Sequence, residues 1–215
     1  MNKISIHYVT SSRFKRDENK VFCEVSKLND GRFVCDVFDF HIRESAITEV
    51  LEVDLFVLVQ NEVAKAYQQV KVPCIVEHAG LIFEDYLDGG YPGGLTKPMW
   101  NVLGGDFVKE TGSAGRRALA RAVIGYCDGK SIATFVGETS GVIADAPRGD
   151  RAFYWDTVFI PDCDDPMISG RTYSEIVADP KYGLSYKLLN FSQSSKAMLK
   201  FLEYRLQNGV GLWHA

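Results

Sequence analysis

The chain has 215 residues, and at about 150 residues per domain that is enough for one large domain with its own core. Hydrophobic residues make up 46%, charged residues 24% and aromatics 12%, which excludes a disordered, collagen-like or coiled-coil chain. A net charge of −4, from 24 basic and 28 acidic side chains, gives too little positive potential to grip duplex phosphates, so nucleic acid is not an expected partner.

Residues 4–10 (ISIHYVT) are β-rich, and after Ser11 and Ser12 a helical period runs through Phe14, Val21, Phe22, Val25 and Leu28. A second strand is predicted over Val34–Phe40. Past Ser45, a residue type suited to an N-cap, apolar spacing at Ile47, Val50, Leu51, Leu58, Val63 and Ala66 predicts one long helix. Residues 73–76 (PCIV) read as a short buried strand. This β-α-β-α-β order predicts an α/β domain on a mixed or parallel sheet, with binding loops at the C-terminal strand ends, where Thr10 and Glu77 fall.

The tract DGGYPGGLTKP from residue 88 is too rich in Gly and Pro for regular structure, and a short helix is expected around Met99–Val108. Residues 117–127 and 130–137 flank Asp128-Gly129, a dipeptide suited to a tight hairpin, and this hairpin is expected to form a second lobe over about 95–150 of a single 1–215 domain. Strands at 141–144 and 153–160 precede a final helix whose Phe191, Met198, Leu199, Leu202 and Leu206 share a face before Gly209.

Five cysteines, at 23, 35, 74, 127 and 163, include no CxxC pair, so neither a disulfide framework nor a thiolate zinc site is expected. The first residues lack a secretory signal, and no window approaches the roughly 18 apolar residues that span a bilayer. A soluble protein of the reducing cytoplasm, with no membrane partner, is the expectation.

Thr10-Ser11-Ser12-Arg13-Phe14-Lys15 joins a strand to a helix, where hydroxyls, Lys15 and the helix dipole suit phosphate oxygens. By itself the segment reads first as an N-cap at Ser12 followed by a solvated lysine, and as a phosphate site only in company with its neighbours. His7 within a strand and His214 near the terminus have no metal-ligating neighbour at useful spacing. Arg116, Arg117 and Arg121 alternate with small residues as on a solvated sheet face or a protein interface, and Lys97 is either a surface lysine or a phosphate contact.

Taken in order, these and further segments resemble the inosine triphosphate pyrophosphatase family over nearly the whole chain. TSSRFK is similar to the family's TGNxxK loop; IVEHAGLIF and LDGGYPG, which contains Gly93, to VEDTGL and LGGxPG; FVGETSGVIADAPRG to FxGxxxGxIxxxPRG; FYWDTVFIPD to FGWDPxFxPD; and RTYSEI to TYAEM. FSQSSKAMLKFLEY stands where the family has its SHRxxAL helix. The resemblance implies an elongated, two-lobed mixed α/β fold with a central nucleotide cleft, in a homodimer, hydrolysing ITP, dITP or XTP to monophosphate and pyrophosphate with Mg²⁺. It also implies that Thr10, Ser12 and Lys15 hold phosphates, that Phe153 and Trp155 enclose the purine, and that Asp156 fixes the nucleoside.

The departures concern chemistry. His78, in Glu77-His78-Ala79-Gly80, stands where the family has its catalytic aspartate, and imidazole is a poor substitute for a hard oxygen ligand. Ile42 falls opposite the family's acidic metal ligand, which Glu44 replaces only after a two-residue shift. A helical lysine of the family falls near Gln60 or Asn61, Ser192-Gln193-Ser194 replaces the base-reading SHR, and Lys187 lies close to the remaining family lysine. The favoured reading is a degenerate cleft that binds dITP without a required metal and acts as a sensor. The pattern of altered residues further resembles the pyrophosphatase-like subunit of Kongming-type antiphage systems, which implies a sirtuin-like NADase partner. The alternative is an active Mg²⁺-dependent pyrophosphatase in which His78 or Glu77 acts as base and Glu44 or Glu84 holds the metal.

Overall fold

The computed structural model describes residues 3–208, apart from the side chains of residues 151–153. Strand β1 (Ile4–Val9) leads into helix α1 (Arg13–Val25), a single turn α2 (Val34–Val37), strand β2 (Phe38–Arg43), helix α3 (Leu55–Val70) and strand β3 (Cys74–Phe83). Short helices α4 (Thr96–Leu103) and α5 (Phe107–Thr111) precede the long strands β4 (Arg117–Cys127) and β5 (Ile132–Ile143). The chain closes with β6 (Phe159–Pro161), α6 (Tyr173–Ala178), α7 (Gly183–Asn190) and α8 (Gln193–Asn208). Gly209 and His214 lie outside the described residues.

The strands form one six-stranded mixed sheet in the order β2-β1-β3-β4-β5-β6. Its β2-β1-β3 part is parallel and the remainder antiparallel, so the mixed α/β class expected from the sequence is the one that forms. The parallel pairing of β1 with β3 covers only His7↔Cys74 and Tyr8↔Ile75, whereas β3 pairs with β4 from Cys74 to Phe83. Strand β3 therefore outruns its neighbour. Glu77, expected at a strand end, sits mid-strand where β1 has already turned away.

Helices cover both faces of the sheet. Helix α3 buries Leu55, Leu58, Val59, Glu62, Val63 and Ala66, the i, i+3, i+4, i+7 stripe of an amphipathic helix, against Val9, Val76 and Val123. Helices α1 and α8 pack Phe22, Met198, Phe201 and Leu202 against Ile6, Tyr8, Ile75 and Ile124 on the other face. Further along the long strands a separate core gathers Leu81, Phe83, Trp100, Phe107, Trp155, Phe159 and Tyr173.

Several boundaries differ from the sequence reading. Residues 34–37 turn as a helix before β2, which shifts that strand to 38–43. Helix α3 starts at Asp54, whose carboxylate accepts from the Phe56 N–H at 2.7 Å; Ile47 and Val50 mimic its spacing because they pack on the same core from the preceding loop. Residues 141–143 belong to β5, and residues 151–157 form a 3₁₀ helix, leaving only 159–161 as strand. The Asp128-Gly129 hairpin forms as expected: Gly129 has φ +89° and the Asp128 carboxylate accepts from the N–H groups of Lys130 and Ser131.

The Gly-Pro tract docks on β3 because Gly80 has no side chain. A methyl group there would strike the carbonyl of Gly93, and Thr96 Oγ1 locks the contact by accepting from the Leu81 N–H at 2.9 Å and donating to the Gly93 carbonyl at 2.7 Å. Gly80→Ala is expected to cost about 1–3 kcal/mol by overpacking, seen as a lower urea midpoint with an unchanged denaturant slope.

Candidate functional site

Where β1 stops short of β3, a cleft of about 460 Å³ opens between the sheet, the start of α1, the loop before α3, the 3₁₀ helix and the start of α8. Thr10, Ser12, Lys15, Glu77, His78, Trp155, Asp156, Lys187, Ser192, Gln193 and Ser194 all line it. Residues far apart in sequence thus meet on one surface.

At one end the N-terminus of α1 faces the cleft. Thr10 Oγ1 accepts from the Ser12 N–H at 3.1 Å and Ser12 Oγ accepts from the Lys15 N–H at 3.4 Å, so both hydroxyls shape the turn that aims the helix. The Lys15 ammonium donates to the Glu77 carbonyl. Lys97, half exposed on α4, also reaches this end and pairs with Glu49 at 2.7 Å. Two lysines and a helix N-terminus make this end attractive to an anion.

In the floor, the alternation of β3 sends Glu77 and His78 to opposite faces of the sheet. Glu77 accepts from Tyr8 Oη at 2.8 Å and from Ser194 Oγ at 2.7 Å, one on each carboxylate oxygen, and so ties β1 and α8 to β3. Burial and this neighbouring carboxylate push the Tyr8 hydroxyl well above its ordinary pKa, which keeps it a donor. His78 Nε2 meets Glu62 Oε1 at 3.0 Å and Glu49 Oε1 at 3.7 Å. His78 and Glu62 are buried and Glu49 is half-exposed. Burial works to raise the Glu49 carboxyl, but Lys97, His78 and Lys15 outweigh it and hold the group below the usual glutamate value.

One ligand atom from each of Glu49, Glu62 and His78 lies within 4.8 Å of the others, a spacing able to hold a divalent cation. Mg²⁺, the cation the family resemblance implies, takes oxygen ligands in near-octahedral geometry; a set with one imidazole nitrogen among three side chains does not match it. Glu44, the carboxylate expected at the metal, instead pairs with Arg16 on the surface. Neither Glu44 nor Glu84 lines the cleft.

The other end is aromatic above and charged below. Trp155 is both wall and core, edge-on to Phe159 with ring centroids 6.2 Å apart, and not a residue on one side of a strand. The side chain of Phe153 lies outside the described residues. Tyr154 lines the cleft with φ +51°, an uncommon backbone for a non-glycine residue, and meets Phe14 edge-on at 5.9 Å. Beneath, the buried Lys187 ammonium donates to Asp156 at 2.5 Å and to Glu18 at 3.0 Å. Burial drives the Glu18 carboxyl up while Lys187 pulls it down, with the first effect prevailing; for Lys187 the two acids outweigh burial and raise the ammonium. Gln193 Oε1 accepts from Tyr173 Oη at 3.2 Å.

Gly93 does not line the cleft; it packs the Gly-Pro tract between Gly80 and Val53. Arg116, Arg117 and Arg121 pair with Asp85, Asp162 and Glu138, away from the cleft lining. The sequence reading missed Glu49, Glu62, Glu18 and Tyr154. A signal existed for Glu62, a carboxylate in a core position of the α3 stripe.

Residues 6–203 match the model of the Ham1 family. The chain is 33% identical over 167 residues to inosine triphosphate pyrophosphatase 1 of Trypanosoma cruzi, covering 75% of this chain and 79% of that protein. It is 32% identical over 142 residues to a dITP/XTP pyrophosphatase of Methanopyrus kandleri, covering 65% and 68%. A HAM1 protein from Coxiella burnetii has the same fold, with a TM-score of 0.60 at 17% identity over 95% of this chain and 98% of the other.

Lys187→Met leaves Glu18 and Asp156 facing each other in a largely buried setting, and stability is expected to fall by about 3 kcal/mol. Without Lys187 the Glu18 carboxyl rises further above its unfolded value, so the native state binds more protons and stability drops as pH rises through that value. Urea unfolding is expected to show the larger deficit at about pH 8 and the smaller at about pH 5.

Proposed function

This chain belongs to the Ham1 family, and we propose that its cleft hydrolyses a deaminated purine nucleoside triphosphate of the dITP/XTP class to the monophosphate and pyrophosphate. The observation that carries this reading is that Glu49 and Glu62 converge on His78. The acidity that His78 removes from β3 returns to the same spot from the loop before α3 and from α3 itself. A cleft emptied of carboxylates would suit binding alone; this one retains them beside its cationic end.

The residues divide the work by position. Lys15, Lys97 and the N-terminus of α1 receive the phosphates, where their positive potential favours the charge that accumulates on the leaving pyrophosphate. Water attacks the α phosphorus, and the bond from that phosphorus to the bridging oxygen breaks to release pyrophosphate. The water's proton passes to the Glu62–His78 pair through the Glu62 carboxylate oxygen that does not face the imidazole. Both oxygens of Glu77 are committed to Tyr8 and Ser194, which makes it a brace and leaves the proton transfer to its neighbour. The purine lies against Trp155, with Asp156 and Lys187 below the nucleoside and Ser192, Gln193 and Ser194 near the base edge.

A second reading draws on His78 alone: with the family's aspartate gone, the cleft binds dITP without cleaving it and passes the signal to a partner such as an NADase. Pyrophosphate release from dITP and XTP, measured with Mg²⁺ and separately with Mn²⁺ beside calorimetric binding, divides the two. Turnover supports the hydrolase, binding without turnover the sensor, and absence of both removes each. For the hydrolase, Lys15→Ala is expected to lower kcat/KM about 100-fold by withdrawing phosphate stabilisation. Loss of base stacking in Trp155→Ala is expected to raise KM about 10-fold or more, with a melting curve confirming that the variant is folded.

A further inference from the structure

We propose that Glu49, Glu62 and His78 form a binding site for a first-row transition-metal ion, and that this chain prefers such an ion, with Mn²⁺ as its weakest representative, over Mg²⁺. The inference deepens the hydrolase reading and rests on it for the use to which the ion is put; the cation site itself rests on the donor set.

Three observations carry it. The three ligand atoms lie within 4.8 Å of one another on the cleft wall, and they come from a loop, a helix and a strand, so the cluster is made by the fold and not by a local run of acidic residues. Two of the three are almost wholly buried, with side-chain exposures of 8% for His78 and 6% for Glu62. A carboxylate placed in the apolar stripe of α3 loses its hydration, and it is retained where a charge or hydrogen bond compensates. Finally, one donor is nitrogen. Imidazole suits transition metals, while Mg²⁺ selects oxygen and dehydrates reluctantly; two carboxylates with one imidazole form a mixed set that Mn²⁺ and its heavier neighbours accept.

The 3.0 Å contact between His78 Nε2 and Glu62 Oε1 holds a proton where the cation would sit. Binding exchanges that hydrogen bond for two metal bonds: the imidazole proton moves to Nδ1, and both Nε2 and Glu62 Oε1 turn their lone pairs to the metal. Lys97, paired with Glu49 at 2.7 Å, fixes the third carboxylate in the absence of the ion. Affinity rises along the series from Mn²⁺ towards Cu²⁺, so a preference measured with Mn²⁺ sets the lower bound for the class.

The test titrates Mn²⁺ into the chelator-treated full chain without nucleotide, following free Mn²⁺ by electron paramagnetic resonance, and then competes with Mg²⁺. One Mn²⁺ per chain is expected, with Mg²⁺ needing at least about a tenfold higher concentration to displace it. In His78→Asp, which makes the set all oxygen, that ratio is expected to shrink to about threefold or less. Glu49→Gln, on the loop and away from the core stripe, is expected to weaken Mn²⁺ binding about tenfold and keeps the test informative if the His78 variant does not fold. Displacement by Mg²⁺ at equal concentration, or Mn²⁺ binding unaltered in both variants, overturns the proposal. Tight Mn²⁺ binding without pyrophosphate release from dITP overturns the hydrolase reading and supports the cation site; brisk hydrolysis with no Mn²⁺ preference overturns the cation site and supports the hydrolase.

Discussion

The unequal lengths of two neighbouring strands set the architecture of the cleft. Strand β1 leaves the sheet at Val9 while β3 continues to Phe83, so one edge of β3 loses its partner at Glu77 and His78 and the space beside it becomes accessible. A polar pair inside a strand buried on both faces would otherwise be costly. Here each member finds a partner on its own face: Glu77 on Tyr8 and Ser194, His78 on Glu62. Helices α1, α3 and α8 could not converge on one cleft if β1 ran as far as β3.

The same geometry separates the two ends of the cleft by charge. The α1 end is cationic, with Lys15 and Lys97 near a helix N-terminus; the floor carries Glu49 and Glu62; the far end is aromatic over the Lys187–Asp156–Glu18 group. This polarity fits a ligand with an anionic tail and a flat, apolar head. Trp155 and Tyr154 frame the head side from a 3₁₀ helix, and an element of that kind turns its side chains to several directions where a strand would alternate them between two faces.

Much of this was legible in the chain of residues. The strand-helix alternation, the turn at Ser12 and the Asp128-Gly129 hairpin follow from local chemistry, and Lys15, Trp155, Asp156 and Lys187 follow from segment resemblance; the structure gathers these four in one cleft. What escaped was masked by residue type and by spacing. Glu62 shares the inner face with Leu58, Val63 and Ala66 wherever the helix begins, and it was passed over because an acidic side chain is by type a solvent-facing one. Glu49 sits in a loop whose Ile47 and Val50 imitate helical spacing. The length of β3 was hidden for another reason: His78, Ala79 and Gly80 interrupt an apolar run, and nothing local says that ladder pairing with β4 continues through them.

The docking of the Gly-Pro tract on Gly80 divides that excursion into two mechanically different parts. Residues 91–96 are clamped to the sheet through Gly93 and Thr96, while Glu84–Gly89 form an exposed tip. The tip touches the rest of the fold through Asp85 on Arg116 and Tyr86 on Tyr91, so it is the positions beyond them, Asp88 and Gly89, that can vary or accept a grafted label without disturbing the anchored stem that carries Lys97 to its carboxylate.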